Sequence, residues 1–469
     1  MAGEQTIYDA VIVGAGVSGS FIAQALTQAG MQCLVLEAGK DFARSTYPRK
    51  EIDANSQLFW SGGIELNTDA TIGLLRPKVV GGGSVVNQAL ADRFDDSAFD
   101  GWRDASGVSS LTRSEFEPWY DKAEREIEIR TVPEEYRNGN ARVFKAGFDA
   151  NGYRSALLRR AQGDCHFEDG NCCIECLAGC RIDSKQSMVV TTLKRARAAG
   201  LQVISEFEAH RVEHANGEVT VAGVGADKAA ASYRGRILVL ASGAIGNSRL
   251  LLQSGFASRL PALGHNFFTH PQYMNLAVYD EPINSHRGPL QSYKSDDPNF
   301  RRSGFKLENV FAPPVAIAML IPGFGAAHLR HMRNITHLAC IEVAVRDTHP
   351  GRIRVNPRGG VIVEKKLNDE DARRRDRGRD AIRNIFLATG AKEIIEGNLA
   401  IGLHLMGGCN MGVDPVRSVT SPEYRLHGYA NIYAGDSSVF PNAPGINPAL
   451  TIMANSLRAA EQILKDVRR

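Results

Sequence analysis

Val11-Ile-Val-Gly-Ala-Gly-Val-Ser-Gly19 opens a strand, turn, helix and strand near the start of this 469-residue chain. The β-branched triplet Val11-Ile12-Val13 fits a buried strand, residues 20–30 fit a helix stopped by glycine, and Cys33-Leu34-Val35-Leu36 fits a second strand. Between them Gly14 permits a tight turn, Gly16 lets a pyrophosphate approach the backbone, and Gly19 lets helix and strand pack closely. The helix N-terminus then faces the phosphates, where unpaired N–H groups and the positive dipole end hold an anion. Glu37, eighteen residues past Gly19, ends the second strand, where a carboxylate accepts hydrogen bonds from an adenosine ribose and repels a 2′-phosphate. NADP is therefore the least suited dinucleotide. The two strands, the helix and the acid together make dinucleotide binding the expectation, over an ordinary glycine turn.

Farther along, Val79-Val80 leads into Gly81-Gly82-Gly83-Ser84 and Asn87. Such a cluster suits backbone lying close against a flat or anionic ligand, or else a flexible hairpin loop. Residues 236–241 have the pattern of a buried strand and run into Ser242-Gly243-Ala244 and a helix reaching about Gln253. Near the C-terminus residues 431–434 form another strand, Gly435-Asp436-Ser437-Ser438 follows, and residues 449–464 make a long closing helix. Between these, residues 273–279, 341–345 and 352–356 alternate apolar and polar side chains, which fits antiparallel strands with one covered face. Residues 369–387 follow as a helix, with the arginine run at 373–379 expected on a solvated face. No internal repeat or low-complexity linker separates the pieces, so two folding units are expected to interleave. Residues 1–93, 186–262 and 412–469 would form a discontinuous nucleotide-binding unit. Residues 94–185 and 263–411 would form a substrate-binding unit carrying a cysteine-rich loop at 165–180.

Hydrophobic residues make up 43% and charged residues 23%, ordinary globular usage that argues against a disordered, collagenous or coiled-coil chain. Lys plus Arg number 55 and Asp plus Glu 52, so a formal net charge of +3 gives no electrostatic reason for a nucleic-acid partner. The partner is expected to be small. Met1-Ala-Gly-Glu-Gln5 lacks the basic segment and apolar stretch of a secretory signal, so a cytoplasmic address is expected. The longest apolar passage, residues 315–327, is too short to cross a bilayer and is interrupted by Pro322-Gly323. It fits buried core, the wall of an apolar pocket, or peripheral contact with a membrane surface. Two counts stand out: 46 glycines, and five of eight cysteines (Cys165, Cys172, Cys173, Cys176 and Cys180) within sixteen residues. In a reducing compartment such a cluster is expected as ligands or thiols rather than disulfides.

Five motifs in order carry a family resemblance. They are Gly14-x-Gly16-x-x-Gly19 with Leu36-Glu37-Ala38-Gly39; Gly81-Gly82-Gly83-Ser84-x-x-Asn87; Ser242-Gly243-Ala244-Ile245-Gly246; His404-x-x-Gly407-Gly408-Cys409-x-Met411-Gly412; and Asp436-Ser437-Ser438-x-x-Pro441 with Asn447-Pro448-x-x-Thr451. From residue 8 to residue 463 the chain resembles the glucose–methanol–choline (GMC) oxidoreductases, and is most similar to their cholesterol oxidase and long-chain alcohol oxidase branches. The resemblance implies an α/β fold in which a Rossmann-type FAD-binding domain interleaves with an antiparallel-sheet substrate domain. It implies oxidation of the CH–OH group of an alcohol to a carbonyl, by proton abstraction and hydride transfer to flavin N5. Dioxygen or an external acceptor would take the electrons. It also implies cofactor contacts at Gly14, Gly16, Ser18, Gly19, Glu37, Gly81, Gly82, Ser84, Asn87, Ala209, Ser242, Asp436 and Asn447. No histidine stands where some members tether the flavin, so FAD is expected to be non-covalent. Two departures, Pro77 before the glycine cluster and Asn247-Ser248 in place of Thr-Pro, are not expected to touch the chemistry. The chain is short for the family, which implies trimmed loops over the pocket.

Alcohol oxidation needs one group to take the hydroxyl proton and another to stabilise the oxygen, both held in position. His404 fits the base, because imidazole titrates near neutral pH, and Asn447 fits the polar partner, because its amide can donate to the oxygen. By position alone His404 also fits a satisfied core histidine, and Asn447-Pro448 a turn; the resemblance places both in the active site. His270 is expected to be structural, and His166, His265, His328, His331 and His427 show no usable partner spacing. No Gly-x-Ser-x-Gly elbow supports a serine hydrolase. The spacing of Cys173, Cys176 and Cys180 lets three thiolates converge on an iron–sulfur cluster that would pass electrons outward, and equally fits a thiol-rich loop against the flavin. Zinc is disfavoured, since no histidine stands at finger-like spacing beyond Cys180. Two other functions stay open: a sugar or glycoside dehydrogenase of the same fold using such a cluster, and a non-catalytic electron-carrying flavoprotein, against which His404 and Asn447 speak.

Overall fold

β1 (Ile7–Val13), α1 (Val17–Gln28) and β2 (Cys33–Leu36) build the first unit of the computed structural model, which describes residues 6–165 and 172–468, the side chain of Cys172 excepted. His166 and part of the 165–180 loop lie outside the described residues. β1 and β2 are parallel, with Ala10 opposite Cys33 and Val13 opposite Leu36. Every residue of β2 is buried, as for a strand covered on both faces. α1 begins three residues before the expected start, directly after Gly16. Its first turn admits only glycine at position 19, because a Cβ there would lie 1.9 Å from the Gly14 carbonyl oxygen.

β3 (Gln202–Ile204) adds outside β2, and β4 (Glu208–Ala215), β5 (Glu218–Val224) and β6 (Ala230–Leu240) form a meander whose last strand returns alongside β1. β6 is long enough to hold two partners on its far edge. Its first half pairs antiparallel with β5, and Leu238 to Leu240 pair parallel with the strand Ile432–Ala434. The chain leaves β6 into α2 (Gly243–Gln253) and leaves Ile432–Ala434 towards Asp436. Three loops therefore emerge at the C-terminal ends of adjacent parallel strands, where such sheets open a ligand crevice. The closing helix Ala449–Val467 buries Leu450, Met453, Ala454, Ala460 and Ile463, and packs on α1.

β7 (Pro271–Val278), β8 (Phe305–Asn309) and β9 (Leu338–Val345) are central to a second sheet, with β9 antiparallel to both others. Strands Glu65–Leu66 and Ile72–Leu74 join this sheet beside Ala400–Gly402. They lie inside the 1–93 segment expected in the nucleotide-binding unit, so that boundary does not separate the two sheets. α3 (Asp369–Ala388) is capped by Asn368, whose side chain accepts the Asp371 N–H, and buries Ile382, Ile385 and Phe386. Its arginine run is not simply solvated: Arg375 and Arg379 lie over the Tyr273 ring at 5.6 and 5.1 Å, and Arg374 is largely buried against Glu370 and Asp371. The apolar passage at 315–327 becomes two helices, Pro314–Leu320 and Gly325–Arg333, broken at Gly323. Among the described residues no helix is long and apolar enough to cross a membrane.

Candidate active site

Both sheets contribute to one cavity of about 590 Å³. Gly14, Gly16, Ser18, Glu37, Gly82, Asn87, Ala209, Ser242, Asp436, His404 and Asn447 line it, whereas Gly19, Gly81 and Ser84 do not. Those three hold the walls in shape. The Gly81 N–H donates to the Ala15 carbonyl at 2.9 Å, and the Ser84 hydroxyl donates to the Gly81 carbonyl at 2.6 Å while accepting the Met188 N–H at 3.0 Å. Gly82 and Gly16 meet back to back: at φ +54°, a Cβ on Gly82 would lie 2.7 Å from the Gly16 Cα. The result is a cradle of bare backbone at the start of α1, a helix with no side-chain cap. The Ser18 hydroxyl beside it is buried without a partner.

Glu37 is fixed in the same groove. Its two carboxylate oxygens accept the Ala15 and Gly39 N–H groups at 2.8 and 2.7 Å, leaving a lone pair on each for ribose hydroxyls. Burial pushes its pKa up, against those two hydrogen bonds. At the far side of the crevice Asp436 accepts from the Gly243 N–H (2.7 Å), the Ser438 N–H (2.9 Å) and the Asn247 amide (3.0 Å). Asn247 also accepts the Ser242 hydroxyl at 2.6 Å. This departure from the family pattern, expected to be remote from the chemistry, instead joins two loops of the site. An uncapped helix start, a bare-backbone cradle, an orphaned hydroxyl and an anchored acid fit an adenine dinucleotide such as FAD.

At the other end His404, after the strand Ala400–Gly402, meets His270, which immediately precedes β7. Their Nδ1 atoms are 3.0 Å apart and the rings are inclined at 80°. The Gly445 N–H donates to His270 Nε2 at 2.8 Å, so that nitrogen carries no proton. Neutral His270 then holds its proton on Nδ1 and donates it to His404 Nδ1, which leaves the His404 proton on Nε2; this assignment follows from the hydrogen bonds. Burial, then the Lys306 charge, push His404 down to about 3, and burial and His404 push His270 well below the usual histidine range. In this hydrogen-bond pattern resting His404, expected as the base, presents an N–H donor, and His270, expected to be structural, is the residue that sets this state.

Asn447 is oriented by a buried ionic network. Its Oδ1 accepts from Lys306 Nζ at 3.0 Å, and its Nδ2 lies 3.5 Å from Glu308 Oε2, which turns amide N–H rather than carbonyl to the cavity. Lys306 pairs with Glu308 at 2.5 Å and Asp92 at 3.0 Å, and Lys294 pairs with Asp92 at 2.6 Å. Glu308 stands directly opposite Glu342 in the β8–β9 register. The two carboxyls hydrogen-bond to each other, which requires a proton between them; burial, then the Glu308 charge, hold Glu342 well above the usual carboxylate range. Sequence reasoning missed this network. A signal for it exists, because Glu342 is the single charged residue in Leu338-Ala-Cys-Ile-Glu-Val-Ala-Val345, and such a charge in an apolar strand calls for a buried partner. The remaining wall is largely apolar, with Ile64, Phe311, Ala316, Met319 and Leu320 in it, though Arg49, Glu51, Arg76 and Gln88 line it as well.

Residues 8–272 match the N-terminal model of the GMC oxidoreductase family, and residues 327–456 the C-terminal one. The chain belongs to the GMC oxidoreductase family. It is therefore an FAD-dependent oxidoreductase. It is similar to an uncharacterised GMC-type oxidoreductase of Mycobacterium tuberculosis, 29% identical over 98% of this chain and 76% of that one. It is also similar to a long-chain-alcohol oxidase of Arabidopsis thaliana, 23% identical over 95% of this chain and 67% of that one. In three dimensions it resembles pyridoxine 4-oxidase from Mesorbium loti, with a TM-score of 0.76 at 18% identity, over 98% of this chain and 99% of that structure.

In this GMC oxidoreductase Cys173, Cys176 and Cys180, expected as cluster ligands or as a thiol-rich loop, have different surroundings. Cys173 points into an apolar cluster with Met274, Leu276 and Phe311, while Cys176 and Cys180 hydrogen-bond to each other. Among the described residues no group of three His, Cys, Asp or Glu could hold a metal ion. The chain tightens from the helix Cys172–Glu175 into a 3₁₀ turn at Cys176–Ala178. The Cys176 thiol, then the Lys185 backbone N–H at 3.4 Å, draw Cys180 down to about 5, against its burial. The Lys185 ammonium is buried and donates to the carbonyls of Val85 (2.6 Å), Asn87 (3.0 Å) and Cys176 (2.5 Å), tying this loop to the glycine cluster.

Proposed function

We propose that this enzyme oxidises the CH–OH group of an apolar alcohol, with His404 and Asn447 holding the reacting oxygen. The observation that carries this is the pair of oriented N–H donors, His404 Nε2 and Asn447 Nδ2, at the polar end of an apolar cavity that continues into the dinucleotide groove. FAD, when held along Gly14, Gly16, Gly82 and Glu37, supplies the two-electron acceptor that the reaction needs. Two donors fix the substrate oxygen and hold it most tightly as it gains negative charge, while its proton passes to the Glu308 carboxylate, which lines the same cavity. His270 locks the imidazole and Lys306 locks the amide, so neither has to reorient during the reaction. The apolar wall receives a hydrocarbon and keeps water from the reacting atoms. The similarity to a long-chain-alcohol oxidase supports the same substrate class. The apolar lining favours this reading over a sugar or glycoside dehydrogenase, and an electron carrier has no use for two oriented donors in a substrate-sized cavity.

The test is anaerobic mixing of the yellow holoenzyme with aliphatic alcohols, sterols and free sugars, read as bleaching of the flavin band. Bleaching by the hydrophobic alcohols is expected; bleaching by sugars alone, or by none of the panel, ends the proposal. His404→Ala should keep the chromophore and bleach roughly 10²- to 10³-fold more slowly, the usual cost of one donor to a charged oxygen.

A further inference from the structure

Phe324 is 91% exposed, more than any other large apolar side chain among the described residues. It stands at the tip of the hairpin formed by the helices Pro314–Leu320 and Gly325–Arg333, between Gly323 and Gly325, whose φ angles of +90° and +68° make the turn. The tip is held in place. Glu51 anchors the first helix by accepting the Val315 and Ala316 N–H groups at 2.7 and 2.8 Å, and His328 Nε2 ties the second helix to the first by donating to the Ala318 carbonyl at 2.8 Å. Ile317 and Leu320 turn inward and are buried, whereas Val315, Met319 and Leu329 are exposed, as is Ile52 beside the anchoring Glu51. Met319 and Leu403 line the cavity and are also 49% and 40% exposed, so this apolar surface begins at the cavity mouth. Large apolar side chains gathered in this way on a folded surface mark a place where it docks.

Charge indicates what it docks on. No aspartate or glutamate stands between Glu308 and Glu342, while Arg330 and Arg333 lie in the last turn of the second helix and Arg49 and Lys50 lead into Glu51. Two acids touch the hairpin from other elements, and both are engaged: Glu51 by the helix N–H groups, and Glu393 by Arg330 at 2.9 Å. An apolar tip with basic residues behind it fits the interface of an anionic bilayer, where hydrocarbon enters among the acyl chains and cations meet headgroup phosphates. A second copy of the chain, at a formal net charge of +3, offers no such counter-charge. Helices of seven and nine residues are too short to cross a bilayer, so the contact is with one leaflet.

We propose that this hairpin, with Phe324 at its tip, docks the enzyme on an anionic lipid surface and sets the cavity mouth against the acyl chains, from which an apolar alcohol enters without crossing water. The docking stands on the exposed side chains and their charge, and the cargo rests on the alcohol-oxidising function proposed above.

Sedimentation of the holoenzyme with vesicles of phosphatidylglycerol mixed with phosphatidylcholine tests the docking without any turnover. Wild-type enzyme should sediment with them, and less with pure phosphatidylcholine or in high salt, which screens the basic residues. Phe324→Asp should weaken binding roughly 10-fold or more while flavin content and thermal midpoint stay unchanged. Leu329→Asp, the second variant, should weaken it in the same direction, and Arg333→Glu should reduce the preference for anionic vesicles. No sedimentation of the wild type, or undiminished binding in both aspartate variants, overturns the docking. A dimer that Phe324→Asp dissolves, seen by sedimentation velocity in a protein that ignores vesicles, overturns it in favour of a second copy. For the cargo, 1-hexadecanol carried in the same vesicles is compared with 1-octanol in water: Phe324→Asp should slow anaerobic flavin bleaching by the first and leave the second unchanged. Equal slowing of both, or of neither, overturns the entry route. If neither alcohol bleaches the wild type, the alcohol-oxidising function has failed, and sedimentation still decides the docking.

Discussion

His270 does something in this site that no motif announces: by accepting the Gly445 N–H it commits its own proton to His404, and so decides what His404 offers the substrate. Replacing it with phenylalanine removes that commitment and leaves His404 Nδ1 without its donor. Alcohol-dependent flavin bleaching in His270→Phe should slow about 10-fold, the worth of one buried hydrogen bond of about 1–3 kcal/mol. The pH profile should change with it. In the wild type His404, held down to about 3, has no titration between pH 5 and 8; the variant should gain an acidic limb as the imidazole becomes free to protonate. An unchanged rate and profile would show that the tautomer is irrelevant. His404 and Asn447 were legible because each sits inside a local motif. His270 was not, since its partner lies 134 residues away and only folding brings the two rings together.

Among the elements, the glycine cluster and the start of α1 make the sharpest test, because two neighbouring glycines meet very different surroundings. A Cβ on Gly82 would be strained by φ +54° and driven to 2.7 Å from Gly16, whereas one on Gly83 would meet nothing nearer than Pro77 at 3.9 Å. Gly82→Ala should purify largely without FAD; Gly83→Ala should keep it, as measured by the ratio of flavin to protein absorbance. Lys185 tests the connection between this element and the cysteine loop. Lys185→Met removes the ammonium from three buried carbonyls and should cost about 3 kcal/mol or more of stability, read as a lower unfolding midpoint in urea. A midpoint equal to that of the wild type would show the loop to be held by other contacts. The elements themselves were readable where one period dominated: the strand at β1, the helix at α3 and the closing helix all appear within a few residues of their expected bounds.

For the whole molecule, interleaving has an energetic consequence. The second sheet takes strands from residues 65–74 as well as from the middle of the chain, so nucleotide groove and substrate wall belong to one cooperative structure. Local patterns showed the parallel and antiparallel parts, but not that two early strands cross to the other sheet, because a two- or three-residue strand carries no period. In such a structure the buried carboxyl pair bears on global stability, and its sign can be worked out. Glu342 has a folded pKa well above that of an exposed glutamate, owing to burial and to Glu308 across the strand pair. The folded state therefore holds a proton that the unfolded state has released above about pH 4.5. Wild-type stability from this group is present below that pH and is lost as pH rises towards the folded value. Glu342→Gln keeps the shape and the hydrogen bond to Glu308 but does not titrate. Relative to wild type, the variant should gain up to about 1.4 kcal/mol per pH unit over that window. Thermal unfolding of both holoenzymes at pH 5, 6, 7 and 8 would show it as a midpoint difference that moves steadily in favour of the variant. A difference independent of pH would mean that Glu308 and Glu342 share no proton in the folded state.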